Sequence, residues 1–100
     1  MQVTITQTDG RSVLRLSGRF DFNAHREFRE AAEQALAGSG SEVYVDLGAV
    51  DYLDSSALGM LLMLRDKAKN AGKSVVLTNS QGTVKQVLDI ANFAKLFTII

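Results

Sequence analysis

Asp54-Ser55-Ser56 sets a carboxylate and two hydroxyls side by side, directly ahead of an apolar run beginning at Ala57-Leu58. Hydroxyls in the first turn of a helix point at the positive end of the helix dipole, where free backbone N–H groups favour an added anion. Phosphorylation there would add nearly two negative charges. The same residue types also cap helices, and one of the serines could do no more than that. Both readings stand at this level.

Farther along, a helical projection at 100° per residue puts Ala57, Leu58, Met60, Leu61, Leu64, Ala68 and Ala71 on one broad face. The opposite face carries Ser55, Ser56, Gly59, Leu62, Met63, Asp66 and Asn70. Leu62 and Met63 thus lie among polar residues, one and two turns below the serines. Either this half of the helix is buried all round, or the pair forms a strip for a partner, with Met supplying adaptable packing.

Other chemistries find few residues to carry them. The chain has 100 residues, no Cys and one His, which excludes thiolate catalysis, disulfides and multi-histidine metal sites. No G-x-x-x-x-G-K-[ST] phosphate cradle occurs. Asp46, Asp51 and Asp54 gather near a strand end, but the acidic pair that a Mg²⁺-dependent aspartyl phosphoacceptor needs after its first strand is absent, so they read as solvated carboxylates and a cap. His25 has Asp21 nearby but no nucleophile motif, and reads as a surface residue. Eleven basic and 11 acidic residues cancel, with no basic patch for nucleic acid or anionic membrane. No apolar run nears the ~20 residues of a membrane span, and no signal peptide is evident. A soluble cytoplasmic protein without cofactor or metal is expected, monomeric by default.

The elements that must hold the serines follow from period and punctuation. Val3–Thr8 and Ser12–Ser17 alternate on either side of Asp9-Gly10 and predict an antiparallel hairpin. Gly18–Phe22 reads as extended. Asn23 is expected to cap a helix over 24–37, with Phe28, Ala31, Ala32, Ala35 and Leu36 as its buried stripe, ended by Gly38. Glu42–Leu47 reads as a strand and 48–53 as an irregular connection. A helix to about Ala71, a strand over 73–78, a helix over 83–92 striped by Val84, Val87, Leu88 and Ala91, and a last short strand over 97–100 complete the chain. The order ββαβαβαβ predicts an α/β domain over 1–100: a mixed, mostly parallel sheet of about five strands, an antiparallel opening hairpin and about three packed helices. Sites in such sheets lie where strands run into helices, here 20–23, 47–56 and 79–82.

Val45-Asp46-Leu47, then Leu53-Asp54-Ser55-Ser56-Ala57-Leu58-Gly59, then Gly72-Lys73-Ser74-Val75-Val76-Leu77 resemble the STAS domain, and more narrowly the single-domain bacterial anti-sigma factor antagonists. The resemblance extends over nearly the whole chain, including Gly18-Arg19-Phe20-Asp21 and Val84-Lys85-Gln86-Val87-Leu88. It implies a binding protein rather than an enzyme. The unphosphorylated form would capture a serine kinase that doubles as an anti-sigma factor, freeing the sigma factor. Kinase with ATP would phosphorylate the residue after the Asp, Ser55, with Ser56 as the fallback acceptor. A metal-dependent serine phosphatase would reset it. Asp21 matches an acidic position near the partner surface, and the first turns of the Ser55 helix would contact the kinase. An alternative is a constitutive STAS subunit of a membrane lipid ABC transporter that docks its ATPase. Ala57 stands where Gly is frequent, and with the chain ending at Ile100 the C-terminal helix of longer members is expected to be missing or reduced.

Overall fold

A computed structural model describes residues 1–8 and 10–100. It contains β1 (Gln2–Thr8), β2 (Arg11–Phe20), α1 (His25–Ala37), β3 (Glu42–Leu53), α2 (Ser55–Asn70), β4 (Ser74–Thr78), α3 (Gly82–Ile90) and β5 (Thr98–Ile99), with short 3-10 turns at Phe22–Ala24 and Phe93–Lys95. The sheet order is β1-β2-β3-β4-β5; β1 and β2 are antiparallel and the remaining pairs parallel. Thr8 pairs with Arg11 across the hairpin, and Gly10 takes φ 83°, a value that favours glycine. Asp9, half of the expected turn signal, lies outside the described residues.

Alternation decides which face is buried. Val3 pairs with Leu16, Ile5 with Leu14, Leu14 with Val45, and Val45 with Leu77, so these side chains share one face. All three helices send their stripes into the core on that face: Phe28, Ala31, Ala32 and Ala35 from α1, Ala57, Met60, Leu61, Leu64 and Ala68 from α2, Val84 and Leu88 from α3. Phe20 and Phe28 meet with ring centroids 5.1 Å apart and fix α1 beneath the end of β2. Phe93 and Phe97 stack at the same separation and close the C-terminal end. The other face bears Thr4, Arg15, Tyr44, Asp46 and Thr78.

The main departure from expectation is β3. It is one continuous strand through Leu53, not a strand followed by an irregular connection. Two register shifts explain this. Arg15 pairs with Asp46, and Ser17 next with Ala49, so Leu47 and Gly48 together oppose Leu16. Gly18 then pairs with Val50 and Arg19 with Tyr52, leaving Asp51 as a second extra residue. Each bulge adds one residue and turns the strand. The buried positions therefore run Val43, Val45, Leu47, Val50 and Leu53, changing from a step of two to a step of three. A period-two reading stops at Leu47 for that reason.

Asp46 locks the first bulge. Its carboxylate accepts from the Gly48 N–H at 2.9 Å and from the Asn79 amide at 3.1 Å, and meets Arg15 Nε at 3.3 Å. The Gln81 amide donates to the Gly48 carbonyl at 3.1 Å. The 79–82 loop thus meets the β3 bulge through Asp46 and Gly48.

Smaller corrections concern ends. α1 starts at His25 after the 3-10 turn, and Asn23 does not cap it; its N–H donates to the Asp21 carboxylate, which caps the turn. Ala71, expected on the buried face, is exposed at the C-cap of α2. The last strand is only Thr98–Ile99, because Phe97 is drawn into the core.

Candidate functional site

β2 and β3 end side by side. Phe20 pairs with Leu53, and the Asp54 N–H donates to the Phe20 carbonyl at 3.4 Å. Each strand is followed by an aspartate that caps what comes next. Asp21 accepts from the Asn23 N–H at 3.0 Å and Asp54 from the Ala57 N–H at 3.0 Å. Both donors belong to orphan N–H groups that any helix start must satisfy. Asp54 has extended backbone angles, which suit a cap, and a carboxylate there also complements the α2 dipole.

This settles one alternative left open by sequence. Asp54 is the cap of α2, so neither serine is needed for that purpose. Ser55 is the first residue of the helix and exposed; Ser56, the second, is half-buried. One turn on, Gly59 is exposed, and a Cβ built there would meet nothing within 4 Å. A glycine inside a helix costs about 1 kcal/mol against Ala. No packing among the described residues accounts for Gly59; it leaves bare helix backbone one turn below the serines.

Leu62 and Met63 divide. Leu62 is half-buried and packs against the core, as does Leu58. Met63 is half-buried but is not among the residues packed against that core. Leu62 is therefore partly a core residue, which leaves Gly59 and Met63 as the members of the expected strip outside that core.

The structure brings Asp21 together with Asp54 and Ser55 through the Phe20–Asp54 backbone bond. Asp46 belongs to the β3 bulge, and Asp51 is an exposed bulge residue. His25 is exposed at the start of α1. Burial acts to raise the Asp46 pKa, but hydrogen bonds from the Gly48 N–H, the Asn79 amide and Arg15 outweigh it, and Asp46 ionises below the ordinary carboxylate range.

Three residues at this end do not stand out individually in the sequence, although Phe22 and Tyr52 fall within the 20–23 and 47–56 connections. Arg19 lies 4.0 Å from the Tyr52 ring centroid and 3.5 Å from Asp21, joining the ends of β2 and β3. Tyr52 is 39% exposed and Phe22 is 72% exposed. The signal for Phe22 is its place between two turn-forming residues, Asp21 and Asn23, off the apolar stripe of α1.

A five-stranded mixed sheet, helices on one face and a capped Asp-Ser-Ser helix start at the end of β3 define a STAS-type domain. The chain belongs to the STAS-domain family: the family model described as "Mlab, STAS domain" matches residues 3–99. A STAS-domain containing protein of Pseudomonas aeruginosa strain UCBPP-PA14 is 44% identical over 96 residues, spanning 95% of this chain and 94% of that protein. BtrV of Bordetella bronchiseptica, named as an anti-sigma factor antagonist, is 28% identical over 100 residues, spanning 99% of this chain and 85% of that protein. Among solved structures, the Bacillus anti-sigma factor antagonist SpoIIAA shares the fold. Its unphosphorylated form superposes with TM-score 0.76 at 19% identity, covering 99% of this chain and 87% of that one. Its phosphorylated form gives 0.75 at 19%, covering 99% and 91%.

Proposed function

We propose that this protein is a phosphorylation-controlled binding module, an anti-sigma factor antagonist that switches partners and performs no chemistry of its own. In its unphosphorylated form it holds a serine kinase that serves as the anti-sigma factor. The kinase, with ATP, phosphorylates Ser55 and lets go; a metal-dependent serine phosphatase restores the binding form. The observation that carries this reading is the Asp54 cap. It leaves Ser55 exposed at the first helical position, without capping duty, beside the Asp21 turn.

The physics suits a switch. Phosphoserine carries about −1.5 to −2 charge at neutral pH. Placed beside Asp54 and above Gly59 and Met63, it would have to be desolvated in any close contact there. A loss of ~3 kcal/mol is more than a hundredfold in affinity, enough to reverse occupancy between competing partners. Further support comes from SpoIIAA, solved in both phosphorylated and unphosphorylated forms on this fold.

The test is intact mass followed by peptide mapping, after mixing the protein with ATP and each anti-sigma-type serine kinase of its own genome. One added phosphate on Ser55 is expected. Phosphate on Ser56 keeps the function and moves the acceptor by one residue. No phosphate from any of these kinases, each active, overturns the reading and favours constitutive docking on a transporter ATPase.

A further inference from the structure

Phe22 is 72% exposed, yet its neighbours in the turn are fixed. Phe20 on one side is fully buried against Phe28, and Ala24 on the other is 2% exposed. The Asp21 carboxylate accepts from the Asn23 N–H at 3.0 Å, and the Asp21 carbonyl accepts from the Ala24 N–H at 2.9 Å. A turn pinned at both ends therefore holds the Phe22 ring outward. A large aromatic presented this way gives the chain little core stability, but it is pre-organised for insertion into a pocket, with little ordering cost on binding.

We propose that Phe22 is the aromatic anchor of the contact with the serine kinase, filling an apolar pocket on that partner and setting its specificity. This rests on the function proposed above. Phe22 lies two residues past Phe20 and Ser55 one past Asp54, and Phe20 and Asp54 share a backbone hydrogen bond. Three chain steps of about 3.8 Å and one backbone hydrogen bond bound the backbone separation of Phe22 and Ser55, which is within the footprint of a partner of ordinary interface size closing on the Ser55 hydroxyl. Tyr52, 39% exposed, lies 4.0 Å under the Arg19 guanidinium, which also meets Asp21 at 3.5 Å, so Arg19 ties this turn to the end of β3. The acidic neighbour Asp21 disfavours an anionic lipid surface as the occupant.

The experiment measures affinity, in the absence of ATP, for the anti-sigma-type serine kinases of the protein's own genome, using the full chain and its Phe22→Ala, Phe22→Leu, Ser55→Asp and Ile90→Ala variants. Ile90, 82% exposed on α3, controls for loss of any exposed apolar side chain. Phe22→Ala should weaken binding at least tenfold and Phe22→Leu less, with melting temperatures unchanged and Ile90→Ala binding like wild type. Phe22→Ala within twofold of wild type, while Ser55→Asp still abolishes binding, overturns the anchor and leaves the switch standing. Weakening by Phe22→Ala but not by Ser55→Asp does the reverse. A wild-type chain that neither binds any of these kinases nor is phosphorylated by one removes both. If Phe22→Ala alters the oligomeric state and not kinase affinity, the ring serves a second copy of this chain and the proposal is wrong.

Discussion

Asp21 and Asp54 occupy equivalent places on neighbouring parallel strands. Each follows the residue that ends its strand, Phe20 or Leu53, and each accepts one N–H from the turn that follows, at 3.0 Å in both cases. The two caps differ in what they free. Asp21 holds the Phe22 ring outward, whereas Asp54 leaves Ser55 at the helix start.

Replacing the Asp54 cap should show as stability. Asp54→Ala is expected to cost about 1 kcal/mol, and Asp54→Asn much less, because Asn caps nearly as well. Urea denaturation of both variants checks this. Equal losses would mean that the charge, and not the Ala57 hydrogen bond, carries the effect.

Ser55 variants separate folding from switching. Ser55→Ala should melt like wild type, bind the kinase and resist release by ATP. Ser55→Asp should fold and bind at least tenfold more weakly, since a carboxylate supplies part of the phosphate's charge. Calorimetric titration with and without ATP gives the answer. Kinase affinity for Ser55→Asp equal to wild type would sink the switch.

Gly59→Ala should move stability and binding in opposite directions. The new methyl enters open space and removes glycine's helical penalty, so stability should rise by about 1 kcal/mol. The same methyl stands one turn from the serines, and kinase affinity should fall. A rise in melting temperature with unchanged affinity would take Gly59 out of the contact surface.

Leu62→Ala and Met63→Ala should divide in the same spirit. Leu62 packs on the core and is half-buried. Its truncation should cost about 1–2 kcal/mol, below the range for a fully buried Leu. Met63→Ala should leave the melting temperature nearly unchanged and weaken kinase binding. The reverse pattern would return Leu62 to the partner strip.

Asp46 gives the chain an acid-dependent stability. Its folded pKa is lowered despite burial, through Gly48, Asn79 and Arg15. The stabilisation is therefore fully present above the unfolded carboxylate value of about 3.9, and is lost as pH falls through the lower folded value. Asp46→Asn should cost about 1 kcal/mol at neutral pH and show a smaller stability loss on acidification than wild type. Denaturation curves at neutral and strongly acidic pH compare the slopes. Parallel curves would mean that the bulge does not depend on the ionised carboxylate.

Much of this protein follows from local chemistry that its sequence carries openly. The helical spacing of Phe28, Ala31, Ala32 and Ala35, and of Ala57, Leu61, Leu64 and Ala68, marks faces that later prove buried, because a helix can lower its free energy only by hiding such a stripe. Alternation across Val3–Thr8 and Ser12–Ser17 marks the hairpin for the same kind of reason. Asp54-Ser55-Ser56 marks the start of α2, because the residues that suit a helix start are few. What sequence left open depended on contacts between residues far apart in the chain. The bulges in β3 are set against β2, and Asn79 and Arg15 reach across to Asp46. Leu62 turned inward because the fold brought core to that side of α2. Phe22 stands outward because the 3-10 turn at Phe22–Ala24 breaks the alternation of β2, while Phe20 before it and Ala24 after it are buried. Periodicity describes one element at a time; which of two neighbouring aromatics is buried is decided only when the sheet and α1 close around one of them.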